Sequence, residues 1–272
     1  FLGSGNGRPA IMTTDQSGCG RGYVRSANTN PAPNPRNAFE DGGNHALNAM
    51  CSYTSTFNGT SSAAPNIAGV VALMLSVNAD LNWRDVKHIL ATTSRQIDAD
   101  RPAIVATGIE LEPAWTTNDA SLTFHNVYGF GAIDASAAVA AAEVYVADSL
   151  GTFDQGTIRN NNLSRVVNDG ETIESTLNEP DQGIIEFVRV EIVATHAFPK
   201  DWTIALISPS DTRSVLLPAL NAYATWPASG FELGSNAFYG ENKQGDWTLE
   251  VTDHVEGDLG TLTSWSIRIY GH

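Results

Sequence analysis

A change of hydrophobic period near Ala147 narrows the fold more than any other feature of the chain. Before it, apolar residues recur at helical spacing; after it, they alternate with period two. Val188, Val190 and Ile192 face one way while Arg189 and Glu191 face the other. Trp202, Ile204 and Leu206 repeat the pattern, as do Trp247, Leu249 and Val251 against Thr248 and Glu250. Trp265, Ile267 and Ile269 alternate with Ser266 and Arg268. Ser208-Pro209, Gly234, Gly240, Gly245 and Glu256-Gly257-Asp258 read as the turns between these runs. The pattern predicts an antiparallel all-β sandwich or barrel. A chain of 272 residues holds two compact domains, and the polar stretch Asp148–Asn168 divides it into 1–147 and 148–272.

The first half has a different texture. Residues 1–60 are rich in Gly, Asn, Pro and Ser, and Asn28–Asn48 (with Pro31, Pro33, Pro35, Gly42 and Gly43) reads as a long surface loop. Ile67, Val70, Val71, Met74 and Leu75 with several alanines predict a helix that is apolar nearly all round and therefore buried, ending at Asn78 and Asp80. A second helix is predicted from Asn82 as N-cap, with Asp85 in its first turn and Val86, Ile89 and Leu90 on one face. A third is predicted from Asp134 as N-cap through Ala135–Val146. Gly108–Thr123 reads as irregular.

The segment Asn58-Gly59-Thr60-Ser61-Ser62-Ala63-Ala64-Pro65 carries the chemistry. A serine placed just before a buried helix exposes its hydroxyl while backbone N–H groups and the helix N-terminus face a developing oxyanion. Ser61 and Thr60 are the residues expected to supply that support. A hydroxyl needs an adjacent histidine, itself oriented by a carboxylate, before it acts as a nucleophile. An N-capped core helix with hydroxyls at its start explains the same local pattern without catalysis.

Gly59-Thr60-Ser61-Ser62-Ala63-Ala64-Pro65 resembles the Gly-Thr-Ser-x-Ala-x-Pro signature of subtilases, with Ser61 at the nucleophile position and Ser62 at a variable one. Leu81–Leu90 is similar to the helix that follows in that family. Tyr128-Gly129-Phe130-Gly131-Ala132-Ile133-Asp134-Ala135 resembles the Tyr-Gly-x-Gly-x-x-Asp-Ala segment near the end of its catalytic domain. Three segments in the right order imply the C-terminal portion of an α/β subtilisin-like catalytic domain. The stretch Pro9–Gln16 resembles the corresponding region of secreted kexin-like proteases of Gram-negative bacteria.

The family uses Asp, His and Ser in that chain order, with an oxyanion-hole Asn between His and Ser. Nothing before Ser61 resembles the Asp or His segments, so both are expected from an upstream segment. His45 reads as a surface residue. Gly5-Asn6-Gly7 imitates the oxyanion motif but lacks the apolar strand expected after it. His88, His125, His196 and His254 follow Ser61, where helix or strand faces account for them, and His272 is terminal. The acidic Phe39-Glu40-Asp41 is a candidate to face a substrate cleft.

The β region resembles the P-domain of kexin and furin relatives. His196–Pro209, Gly245–Asp253 and Gly260–Ile267 carry the likeness, with Trp202 where Leu is more usual. The resemblance implies a jelly-roll barrel that stabilises the catalytic domain; similar jelly rolls bind carbohydrate, which leaves a lectin-like role as the alternative for this half. Asp201, Asp246, Asp253 and Asp258 either form a calcium site, since hard cations want several carboxylates, or make turns and cap strands.

The formal charge of −15 disfavours nucleic acid and anionic membranes as partners. No apolar run of about 18 residues stands out, so a membrane span is not expected. Cys19 and Cys51 lack metal or redox spacing; one disulfide fits them better than two free thiols and implies an oxidising, secreted or periplasmic location. The function expected is a serine endopeptidase acting on protein or peptide substrates through an acyl-enzyme on Ser61. Its partners are the upstream Asp/His segment and a propeptide or chaperone. The competing expectation is a catalytically incomplete fragment or pseudo-protease with a structural or regulatory role.

Overall fold

The computed structural model describes residues 10–25, 38–40, 42–227 and 229–272. They group into two compact units, one ending at Ser76 and one spanning Val77–His272.

In the first unit, β1 (Ile11–Thr14) pairs antiparallel with β2 (Tyr53–Phe57). Asp15 leaves β1 in a tight turn: one carboxylate oxygen accepts the Tyr23 and Val24 N–H groups at 2.7 and 2.9 Å, and the other accepts that of Gln16. Cys19 and Cys51 are joined as a disulfide with Cα atoms 5.1 Å apart. Gly43 beside it has φ +90°, and a Cβ there would stand 2.9 Å from Cys19 Sγ, so the staple requires glycine. Serine at Cys19 or Cys51 is expected to lower the stability of this unit by about 3–4 kcal/mol, read by denaturant titration; an unchanged midpoint would contradict that.

β2 runs through Asn58-Gly59 into α1 (Thr60–Val77). Three expectations fail here. The helix starts at Thr60, so Ser61 lies inside its first turn rather than ahead of it. Nor is it buried: only Ser62 and Met74 are covered, 11% of its residues, while Ile67, Leu73, Leu75 and Val77 are exposed. By length and composition α1 is also apolar enough to cross a membrane, which corrects the absence expected from the sequence. The core helix of a soluble domain has the same composition, and Thr60, Ser61, Ser62 and Asn66 make the first turns polar.

In the second unit, α2 (Trp83–Thr93) begins with a reciprocal cap. Asn82 Oδ1 accepts the Arg84 and Asp85 N–H groups, and Asp85 Oδ2 accepts the Asn82 N–H. Asn82→Ala is expected to cost about 1 kcal/mol of this unit's stability, measured by thermal melting. α3 (Ala135–Val144) is capped by Asp134 and stops two residues before the predicted Val146, where Val and Tyr replace alanine. Asn78 Nδ2 donates to the Ala142 and Tyr145 carbonyls and ties the start of this unit to α3.

Between them lie two hairpins that take up most of Gly108–Thr123, the stretch expected to be irregular. One pairs β3 (Ile104–Ala106) with β4 (Ile109–Glu112), the other β5 (Thr116–Thr117) with β6 (Thr123–Phe124). Thr107 and Gly108 both have positive φ, the geometry of a two-residue hairpin turn. Threonine in a place usually held by Asn or Asp hides that turn from the sequence.

The alternating region forms two four-stranded antiparallel sheets. One is ordered β11 (Arg213–Leu217), β10 (Trp202–Ile207), β13 (Gly245–Asp253), β8 (Thr172–Glu179). The other is β12 (Phe231–Ser235), β9 (Ile185–Thr195), β14 (Gly260–Gly271), β7 (Arg159–Val167). Chain-adjacent strands mostly alternate between sheets, which is the expected jelly roll. Trp202, Trp247 and Trp265 fill its core, and each buried indole N–H has an acceptor: Asp253 Oδ2, the Lys243 carbonyl and Ser175 Oγ. β10 departs from simple alternation, since Thr203 and Ala205 are buried too. Thr203 Oγ1 accepts the Ala219 N–H, so the chain after β11 covers that face.

Candidate active site

Gly59, at φ +75°, turns the chain so that its carbonyl receives the Ser62 N–H at 3.1 Å, the Ala63 N–H at 3.3 Å and Ser62 Oγ at 2.9 Å. That carbonyl anchors the first turn of α1, and Ser62, read from the sequence as a variable position, is its buried clamp. Asn66 Nδ2 donates to the Ser62 carbonyl at 2.7 Å. Pro65 has no N–H, so the Ser61 carbonyl, four residues earlier, lacks its intrahelical donor.

Ser61 is exposed. Among the described residues its hydroxyl meets no hydrogen-bond partner, and neither the Thr60 nor the Ser61 N–H meets a backbone acceptor. A free hydroxyl therefore stands beside unpaired N–H groups at the positive end of an 18-residue helix. That arrangement can stabilise negative charge developing on an oxygen bonded to a carbon that Ser61 attacks.

Among the described residues, no histidine hydrogen-bonds to Ser61. His45 caps a short turn, its Nδ1 accepting the Leu47 N–H. His88 meets the Tyr239 hydroxyl at 3.2 Å, and His254 meets Thr203 Oγ1 at 2.9 Å. His125 is buried, stacked on Tyr128 and tilted against Trp115, with Nδ1 accepting the Val127 N–H. Glu40, a candidate to face a cleft, is buried instead. Its carboxylate accepts from Thr54 Oγ1 and the Ser55 N–H at 2.6 Å each and from Thr56 Oγ1 at 3.2 Å, bracing β2 just ahead of the Gly59 turn. Asn6 and Asp41 lie outside the described residues.

Two charge clusters mark the second unit. Arg84 on α2 and Glu186 on β9 are both buried; Arg84 Nε lies 3.1 and 3.0 Å from the two Glu186 oxygens, and Nη1 donates to the Gly151 carbonyl at 2.6 Å. His272 Nδ1 lies 2.9 Å from Glu186 Oε1, and Lys87 Nζ donates to the Glu186 carbonyl at 2.6 Å. Burial pushes the Glu186 carboxyl up, but Arg84 and His272 outweigh it and hold it below the ordinary carboxylate range.

The second cluster joins the β9–β10 and β13–β14 connections. His196, Asp201 and Asp258 each bring one ligand atom within 4.8 Å of the others. Of the four aspartates singled out from the sequence, Asp246 stands apart, accepting from Asn178 Nδ2 across β8. Asp253 is fully buried and engaged by Trp202 Nε1 and His196 Nε2, both at 3.0 Å. His196 belongs to the cluster without having been singled out, because its spacing in the chain gives no metal-ligand signature.

Residues 23–131 match the model of the subtilase family, and residues 185–269 match that of the proprotein convertase P-domain. The chain belongs to the subtilase family, carrying the C-terminal portion of its catalytic domain followed by a P-domain. Among its relatives is the Aeromonas extracellular serine protease of Aeromonas sobria, 31% identical across 98% of this chain and 50% of that protein. Rat proprotein convertase subtilisin/kexin type 6 is 33% identical across 80% of this chain and 23% of its own. The crystal structure of the Aeromonas sobria serine protease superposes with a TM-score of 0.86 at 30% identity, over 97% of this chain and 51% of that one. The same protease in complex with a chaperone gives 0.84 at 29% identity, with the same coverage. The chain thus spans about half the length of these Aeromonas relatives.

Proposed function

We propose that this chain is the nucleophile-bearing part of a secreted serine endopeptidase. The observation that carries the reading is Ser61 itself: an exposed hydroxyl in the first turn of α1, next to N–H groups with no backbone acceptor among the described residues. Ser61 Oγ attacks the scissile carbonyl carbon while a histidine from an upstream segment takes its proton and an aspartate there orients the histidine. The carbonyl electron pair moves onto oxygen, which the Ser61 N–H and the helix terminus stabilise, with Thr60 in support. Collapse expels the amine, protonated by the histidine, and water then releases the acyl group from Ser61.

The exposed apolar side of α1 supports the upstream segment as its covering layer, since Ile67, Leu73 and Leu75, about half in water, forfeit part of the about 1.5–3 kcal/mol that full burial of each contributes. The longer Aeromonas relatives supply room for such a segment. Matching of the two family models to residues 23–131 and 185–269 supports a domain boundary between 131 and 185, the interval that holds the expected 147–148. The chaperone complex of the Aeromonas sobria protease supports a chaperone as partner, and the disulfide supports an oxidising, extracytoplasmic location.

The absence of a base beside Ser61 among the described residues favours one second reading, a structural or regulatory partner without activity of its own. Peptide hydrolysis separates the two. The chain alone is expected to be inactive, and the chain joined to a segment carrying Asp and His is expected to hydrolyse protein substrates. Inactivity of the joined protein, with its fold intact by circular dichroism, would leave the partner reading standing. Alanine at Gly59 is expected to lower that activity at least about tenfold, because a positive φ is strained for any side chain although space is open there.

A further inference from the structure

We propose that Asp201 and Asp258 hold a hard divalent cation of the calcium class, clamping the β9–β10 connection to the β13–β14 connection at one end of the jelly roll. This goes beyond the proteolytic reading and does not depend on it. Asp201 is only 4% exposed, yet among the described residues its carboxylate accepts no hydrogen bond. Asp258 Oδ2 is buried without a partner as well. A buried Asp201 and a half-buried Asp258 that close together repel each other, and their covered oxygens are costly to desolvate unless a positive group joins them.

The neighbouring donors are already engaged. His196 accepts the Phe198 N–H at Nδ1, 3.0 Å away, so Nε2 carries the proton it gives to Asp253. Trp202 Nε1 also points at Asp253, whose other oxygen accepts the Val255 N–H at 3.2 Å. Lys200 Nζ lies 5.5 Å over the Phe198 ring. Asp253 therefore organises the loop, and Asp201 and Asp258 are left facing a cation. Asp169 reinforces the loop from β7's end: one oxygen accepts the Gly257 N–H at 2.9 Å, and the other is buried and unpaired.

The ligand chemistry selects the ion class. With both His196 nitrogens occupied, the available ligands are oxygens, which excludes the nitrogen- and sulfur-rich sets preferred by zinc. A cavity of about 350 Å³ bordered by Asp201, Glu256 and Asp258 has room for the waters that would complete a coordination shell of six to eight. Two carboxylates on loops suit calcium's flexible geometry better than the strict octahedron of magnesium, with a dissociation constant near 10⁻⁴–10⁻³ M.

Terbium, a calcium-sized luminescent probe, tests the site in the purified full chain. Trp202, whose ring centroid lies 5.1 Å from that of His196, is placed to sensitise its emission. The expected result is saturable tryptophan-sensitised emission that calcium displaces more effectively than magnesium. Asp258→Asn, at a partly exposed position, should weaken it at least about tenfold while the melting temperature in chelator stays near that of the parent. Asp201→Asn should weaken it likewise, and calcium should raise the melting temperature of the parent but of neither variant. Absence of sensitised emission, emission that both variants keep at unchanged affinity, or magnesium competing as well as calcium would overturn the proposal. The readout needs no peptidase activity, so its failure is distinct from failure of the proteolytic reading.

Discussion

Ser61→Ala, in the protein that carries its upstream Asp and His, is expected to lower peptide turnover about 10⁶-fold. The loss should fall on kcat and leave KM nearly unchanged, because the hydroxyl takes part in bond formation rather than in substrate binding. Ser61 is exposed and makes no hydrogen bond through its side chain among the described residues, so the melting temperature should hardly move, in keeping with surface substitutions of about 0.5 kcal/mol or less. Ser62→Ala is the instructive comparison. Its hydroxyl clamps the Gly59 carbonyl from a buried position, so it should reduce activity by loosening the turn and lower stability as well. Equal losses of turnover from the two substitutions would contradict the assignment of Ser61 as nucleophile.

The largest stability effect is expected at Glu186. Glu186→Ala leaves the Arg84 guanidinium buried with its charge uncompensated, which should cost about 3–5 kcal/mol. Arg84→Ala should cost a similar amount, while replacing both by apolar residues of like volume should cost much less, because neither charge is then left unpaired. The pair also sets a pH dependence. Glu186 is held below the ordinary carboxylate range in the folded protein. Its contribution is therefore complete above the carboxylate value of the unfolded chain, about 4.3, and is lost as pH falls through the lower folded value. Guanidinium titrations of the second unit, followed by tryptophan fluorescence, should show a steeper loss of stability below about pH 4 in the parent than in Glu186→Ala. Parallel curves for the two proteins would show that the pair carries none of the acid sensitivity.

Much of this architecture is legible in the sequence because it is local. Val188, Val190 and Ile192 alternate with charged neighbours whatever surrounds them, and Asn82 and Asp134 cap their helices through contacts within three residues. The turn into α1 is legible for the same reason: Gly59 accepts from Ser62 and Ala63, and Pro65 withholds a donor from the Ser61 carbonyl, all within two helical turns. What escaped was decided at a distance. The apolar composition of α1 announces a helix that wants cover but cannot say where the cover comes from, and most of it stands exposed here. Arg84 looks like an ordinary helix-surface residue until the fold sets Glu186, 102 positions away, against it. Asp253 and Asp258 look alike in sequence, yet the fold engages one with Trp202 and His196 and leaves an oxygen of the other without a donor.

The central claim, that Ser61 is the nucleophile of an active site completed from upstream, is tested most directly by fluorophosphonate labelling followed by peptide mass spectrometry across Asn58–Pro65. The account predicts a stoichiometric adduct on Ser61 when the chain is joined to the segment bearing Asp and His, and none on the chain alone. A joined protein that hydrolyses peptides but carries the adduct on another serine, or none, would contradict it.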